Sequence, residues 1–524
     1  MSDSVTVPGT GGGTITLDGG TGDSLNLAQE LSHQLDTLNQ AGNLLTTVES
    51  SSGSFSVPAA PTTGGGTQTS VILEGSGSVN ATVPGGYDFI IQNTTGPTTI
   101  TGTNAAVMTG SVGATVSVLG SSTIVGTGGD NNLAGAGNYE MSAGDGNDTI
   151  VGSGSGTIGG GGGNNTMVAS AGDNVVFSQG TDDVVFGSGS VTVNSSGEGL
   201  ALLTGGGTIT ASLSGGGATV AAGDADLSVT TTGSSGVIFG GAGSAAGGVE
   251  IVDSGSGNTI AASDSDTNVT AAGSDGLLFG GSGDLNASIS GAGNTVVAGS
   301  GSATINASSD VLLFGGSDPL SFVGGSGVST IIGGTNGVEQ IVVGSGGVIF
   351  LAGENSSPTV TSGAGTASLF GSSGFDIVFV GSDQGLIFVG GSGPHVIDAS
   401  GSSTSNFFSA GPDAAAQVGM IGGAGTDTMV AGAGLSTLTG GGQADFFAFI
   451  NSETEGNSNV ITDFDITSDL AGFLGYSTVE SAAFLINNAI VNSAGVTLTL
   501  SDDTTVTFSN LTNANQLAGR ILVG

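Results

Sequence analysis

The chain has no cysteine, no tryptophan and no lysine, and Arg520 is the whole of its permanently cationic complement. Without cysteine there are neither disulfides nor thiolate metal sites, a condition equally compatible with cytosol and exterior. With a single basic residue, a nucleic-acid partner is excluded, because binding a phosphate backbone requires cationic side chains that displace its counterions. Anionic lipid or polysaccharide is repelled on the same ground unless a cation bridges the two surfaces. Against that one arginine stand 42 acidic residues, giving a net charge of -41. These carboxylates must be solvated or neutralised from outside, and divalent cations are the obvious neutraliser. No run of about 18 apolar residues is present, so no transmembrane helix is expected. The opening MSDSVTVPGTGGG has neither a basic nor an apolar signal region, and no cleavable leader is expected.

What the chain has in quantity is glycine, 105 residues in 524, and the glycine is periodic. Three nonapeptides run back to back at 422–430 (GGAGTDTMV), 431–439 (AGAGLSTLT) and 440–448 (GGGQADFFA). The first carries a Gly-rich turn, an acid at position six and a large apolar residue at position eight. Phenylalanines extend the period: Phe177 and Phe186 are nine apart, as are Phe370, Phe379 and Phe388. Phe239, Phe279, Phe314 and Phe350 follow at 40, 35 and 36 residues, near four nonamers. Short apolar runs between turns, repeated at constant spacing, predict an all-β parallel solenoid in which each repeat buries its apolar residues on its neighbours. On that reading the phenylalanines are core.

Segment boundaries follow from changes in texture. Residues 1–50 contain Leu27, Leu31, Leu35, Leu38, Leu45 and Val48 at helical spacing, which predicts one amphipathic helix over 24–49 that caps the solenoid. Residues 51–69 cluster Pro, Gly and Ser without period and read as a linker. The solenoid is expected over 70–450. A small α+β tail follows over 451–524, with a helical run at 479–490, a hairpin of 496–500 and 505–508, and a short helical end at 513–523.

Calcium takes six to eight oxygens, and a Gly-rich turn with an acid supplies carbonyls and charge together. The candidate ligands at position six are Asp148, Asp183, Asp376, Asp427 and Asp445, with Asp145, Asp173 and Asp182 in or beside the same turns. Each of these residues also has an ordinary alternative as a solvated turn aspartate. Many nonamers carry Asn or Gly at position six, as at Asn165, so calcium is expected mainly over 126–186 and 371–448. The middle is expected to hold by strand pairing alone.

The nonamers, together with the D-F-x-x-x-x-D segment within 460–473 and the tail beyond it, resemble RTX-type proteins exported by type I secretion, including surface-layer and extracellular-matrix members. The resemblance implies a calcium-binding parallel β-roll, folding outside the cell, and a secretion signal in the C-terminal region.

Catalysis is not expected. The chain has two histidines, His33 and His395, and neither H-E-x-x-H nor G-x-S-x-G. His33 reads as a helix-surface residue and His395 as a turn residue without a partner. Neighbouring acids such as Asp182 and Asp183 would point to opposite faces of a strand. Two readings stay open: a secreted structural protein that self-associates into sheets or filaments through calcium, and an adhesin that presents a flat Thr/Ser/Asn face, such as Thr208–Ser212, to a glycan or another surface.

Overall fold

The computed structural model describes residues 3–241, 248–335, 337–380, 384–451, 456–476 and 480–524, and among these the side chains of Ile377, Phe379 and Val380 stand outside the description. The chain divides into two units, Met1–Thr267 and Asn268–Gly524.

In the first unit Ser4–Pro8 and Thr14–Asp18 form a separate antiparallel pair, and the strands from Leu44 onward pair in parallel, most of them with the strand two places along the chain. Leu44–Ser50, Gln68–Gly75, Phe89–Thr94 and Ala106–Met108 begin one sheet (sheet I), and Gly53–Ser56, Val79–Thr82 and Thr98–Thr103 begin the other (sheet II). One coil of the chain therefore adds one strand to each sheet. The pairing is in register, so like positions stack in columns: Leu133 lies on Ile150, and Ile150 on Met167. Along a strand, buried and exposed residues alternate, as in Ser190–Ser195 and Thr208–Leu213, which places one side of each sheet in a common interior. A one-residue slip would invert every such side chain, so this pattern pins the register.

Gly22–Gln40 forms the helix α1. Its stripe of Leu27, Ala28, Leu31 and Leu35 packs on Ile72, Phe89, Ile91, Met108 and Val125, which come from four successive strands of sheet I. What α1 covers is thus a sheet face, and Ser24 Oγ meets Ser142 Oγ at 2.6 Å near its N-terminus. The helix is shorter than its leucine spacing predicts. The chain turns at Gly42 with φ of 72°, a left-handed conformation that glycine adopts without strain. The Thr46, Thr47 and Val48 run that follows suits a strand and becomes the first strand of sheet I. Within 51–69, Gly53–Ser56 is likewise a strand of sheet II.

The second unit repeats this plan. Leu285–Ile289, Ala303–Ala307, Leu320–Val323 and Val338–Val342 belong to one sheet (sheet III). Leu277–Phe279, Asn294–Val297, Val311–Phe314, Ser329–Ile332 and Val348–Leu351 belong to the other (sheet IV). At its C-terminal end Thr505–Phe508 pairs with Ser458–Ile461 in parallel and with Gly495–Thr499 antiparallel, while Ile521–Val523 pairs with Leu470–Leu474. The tail thus covers strand edges that would otherwise expose unpaired backbone. Phe464 ties it in, with ring centroids 6.0 Å from Phe447 and 4.9 Å from Phe508. The helical run shrinks to Ala482–Asn487, with residue 479 outside the description, and the expected helical end is a 3-10 turn, Ala514–Leu517, before the last strand.

The phenylalanines divide between inside and outside, which corrects the expectation that all are core. Phe186, Phe350 and Phe388 are buried, whereas Phe177, Phe239, Phe279 and Phe370 are exposed. The reason is register: Phe370 lies over Leu351, and Phe350 lies under Leu369. A ring displaced by one residue along the strand changes face.

Acidic ladders at the coil turns

The turns that enter sheet II carry a column of short polar side chains. Asn131, Asp148, Asn165 and Asp182 follow at intervals of 17 residues. Each donates its backbone N–H to Oδ1 of the next: Asn131 to Asp148 at 2.6 Å, Asp148 to Asn165 at 2.9 Å, Asn165 to Asp182 at 3.0 Å. The amides reach sideways, Asn165 Nδ2 to Asp182 Oδ1 at 2.9 Å and Asn131 Nδ2 to the Ala143 carbonyl at 3.0 Å. Such a ladder satisfies turn N–H groups that no strand partner reaches.

Both acids in it are buried, Asp148 at 2% exposure and Asp182 at 0%. Each keeps an oxygen, Oδ2, that is buried and without a hydrogen-bond partner. Burial pushes the Asp148 carboxyl up to about 6, the bonds from Asn131 oppose the rise, and the charges of Asp130 and Asp145 add to it. The exposed side chains alongside form a second, outer row: Asp130 Oδ1 accepts from Asn147 N–H at 2.9 Å, and Asp145 Oδ1 accepts from Thr21 Oγ1 at 2.6 Å.

In the second unit the corresponding column is Asn406, Asp427, Asp445 and Asp469. The same bond repeats, Asn406 to Asp427 Oδ1 at 2.7 Å, Asp427 to Asp445 Oδ1 at 2.8 Å and Asp445 to Asp469 Oδ1 at 2.9 Å. Asp427 Oδ2 also accepts from Gly423 N–H, and Asp469 Oδ2 from Asp465 N–H, both at 2.8 Å. Burial pushes Asp445 up to about 7, helped by the charges of Asp469, Asp427 and Asp463. Asp427 and Asp469 are raised for the same first cause. Asp463 spans the adjacent turn, accepting Gly440 N–H on Oδ1 and Gly441 N–H on Oδ2, each at 2.8 Å.

The glycine at position one has a role that turn geometry alone does not reveal. A Cβ on Gly422 would stand 2.3 Å from Asp427 Oδ2, and one on Gly440 would stand 2.3 Å from Asp445 Oδ2. The missing side chain is the space the carboxylate occupies.

Of the aspartates singled out from sequence, Asp148, Asp182, Asp427 and Asp445 are rungs. Asp183 is not: it begins a strand, lies over Thr166 and is exposed. The coil there has 17 residues, one short of two nonamers, and the lost residue moves the rung to Asp182. Asp145 and Asp173 are exposed outside the ladder. Asp376 is buried on sheet III, where its Oδ2 lies 2.9 Å from His395 Nδ1. The two are close without hydrogen-bond geometry, and Asp376 Oδ1 and both His395 nitrogens have no hydrogen-bond partner. His395 therefore has a buried carboxylate beside it and an edge-on ring contact with Phe388 at 5.3 Å, which corrects its reading as an unpartnered turn residue. Glu339 of the same sheet is buried, accepts Gly334 N–H at 2.6 Å, and is pushed up to about 7 by burial. Sequence reasoning passed over Asn131, Asn406 and Asp469 as rungs, although the constant interval in 131, 148, 165 and 182 was a signal for the first ladder.

Among the described residues no three acids or histidines converge closely enough to hold a metal ion alone. A hard cation at these turns would take a carboxylate oxygen such as Asp148 Oδ2 and complete its shell with backbone carbonyls of the Gly-rich turns.

Coils that each add one parallel strand to two sheets, stacked in register, define a parallel β-solenoid protein. No known-family model matches the chain, and no curated protein matches it.

Proposed function

We propose that this chain is a secreted, calcium-loaded structural solenoid of the RTX type that self-assembles at or outside the bacterial cell surface, as a surface layer, filament or matrix component. The observation that supports it is the pair of buried, unpartnered oxygens on Asp148 and Asp182 in a chain with one arginine to answer 42 acids. A buried carboxylate oxygen without a partner is costly, and a cation supplied from outside relieves that cost. Millimolar external calcium that binds the folded chain stabilises it by mass action, whereas low-calcium cytosol leaves the carboxylates repelling one another. Assembly then uses calcium between acidic copies or between the protein and anionic surface polysaccharide, and no catalysis is involved. Circular dichroism of the purified chain with chelator and with calcium, followed by electron microscopy, tests the reading. A β spectrum whose thermal stability rises with calcium, and ordered sheets or fibres that form with it, are expected. A melting curve indifferent to calcium would remove the metal from the reading.

One observation favours the alternative, a calcium-dependent adhesin. The outward side of sheet III presents Asn286, Ser288, Thr304 and Asn306 on adjacent strands, all exposed, a flat array of hydroxyls and amides suited to a glycan. A calcium-loaded monomer that binds glycans would support it over assembly.

A further inference from the structure

The outward side of sheet IV is unlike that of sheet III. One column, at the last position of each strand, reads Phe279, Val297, Phe314, Ile332, Leu351 and Phe370. The column beside it reads Leu277, Thr295, Leu312, Thr330, Ile349, Ser368 and Ile387. Neither holds a charge, in a chain of net charge -41. Leu277, Phe279, Ile332, Ile349, Leu351, Phe370, Ile387 and the adjoining Phe407 are each 37–48% exposed. At roughly 200 Å² for a large apolar side chain, these eight leave on the order of 650 Å² uncovered. Half-buried Val297, Leu312, Phe314 and Val389 bring the patch to about 800 Å², beyond what a monomer usually shows and equal to one partner's share of a standard interface.

We infer that this face is a dry interface with a second copy of the same chain, formed sheet to sheet between the two sheet IV surfaces. The inference deepens the self-assembly reading and rests on it for the identity of the partner. The second column supports that choice, because it alternates large and small residues for seven strands and so forms ridges about 10 Å apart, twice the strand spacing. A two-fold axis lying in the interface, parallel to the strands and between adjacent rows, reverses the row order. Each Leu or Ile then faces a Thr or Ser of the other copy, the self-complementary packing an isologous dimer requires. An anionic membrane is disfavoured by the charge of the chain, and a basic partner would find no acid on this face to pair with.

The test is sedimentation velocity of the full chain in excess chelator, from about 1 to 100 µM, a range that brackets micromolar association. A dimer is expected without calcium. Ile349→Glu with Leu351→Glu should weaken it at least tenfold, since the buried charges have no partner. Thr304→Glu with Thr359→Glu on sheet III adds the same charge and should leave it intact. Circular dichroism checks folding, and Ile349→Thr with Leu351→Ser replaces the first pair if the glutamates unfold it. A monomeric wild type at the highest concentration, equal effects of the two pairs, or an unaffected sheet IV variant overturns the inference. So does a monomer that instead adsorbs to alkyl-coated beads through this face. Because the dimer is read in chelator and calcium assembly in calcium, either can fail while the other stands.

Discussion

The clearest quantitative consequence of the ladder lies at Asp445. Its side chain is 3% exposed, its Oδ1 holds the Asp427 N–H at 2.8 Å, and its carboxyl rises from 3.8 to about 7. A carboxyl raised in the folded state binds its proton more tightly there than in the unfolded chain, so unfolding free energy must fall as pH rises. The window opens near pH 4 and closes near 7. Three units at 1.36 kcal/mol each give a loss of about 4 kcal/mol. Asp427 and Asp469 share the ladder, so a single replacement should recover about 2–4 kcal/mol of it. Asp445→Asn keeps an acceptor for the Asp427 N–H, as Asn406 and Asn165 do at other rungs, and removes the charge. In chelator at pH 8 the variant should therefore be the more stable protein by that amount, and at pH 4 the two should coincide. Urea denaturation followed by far-ultraviolet circular dichroism measures both. With calcium, the wild type should gain stability that the variant does not. If Asp445→Asn is less stable at pH 8 in chelator, or leaves the pH slope unchanged, the reasoning about the ladder is wrong.

Other perturbations probe separate parts of the account. Asp148→Leu leaves the Asn131 N–H without its acceptor in a buried turn and should cost about 1–3 kcal/mol in chelator, read from the same denaturation curves. Gly440→Ala drives a methyl to 2.3 Å from Asp445 Oδ2 and should cost about 1–3 kcal/mol by overpacking, whereas an alanine at Gly442, with no atom closer than 3.5 Å, should be tolerated. His395→Ala removes a fully buried ring that packs on Phe388 and should lower stability by about 2–5 kcal/mol through the cavity it leaves, with a shifted calorimetric melting temperature as the readout. Leu31→Ala under α1 should cost about 2–5 kcal/mol and expose the amides of sheet I strands to hydrogen exchange.

Much of the architecture was legible because a solenoid is local. Each coil stacks on its chain neighbour, so a repeating apolar run near Phe239, Phe279 and Phe314 announces strands without any long-range guess. The rungs were partly legible for the same reason: Asp148, Asp427 and Asp445 occupy position six of good nonamers. Where the coil shortens to 17 residues the repeat loses phase, and the acid at the rung is Asp182 while Asp183 faces solvent. Asn131 and Asn406 escaped notice because a search for charge overlooks an amide that accepts the same backbone bond.

The sequence by itself determined the β class, the coil period and the acidity, since composition and spacing carry all three. Only the tertiary structure decided which way each side chain points. A shift of one residue exchanges interior for surface, and no local preference distinguishes Phe350, which is buried, from Phe370, which is not. It also decided that His395 meets Asp376 across 19 residues, that the leucine stripe of α1 closes over a sheet face, and that one side of sheet IV gathers apolar columns. Those facts depend on which residues successive coils bring into register.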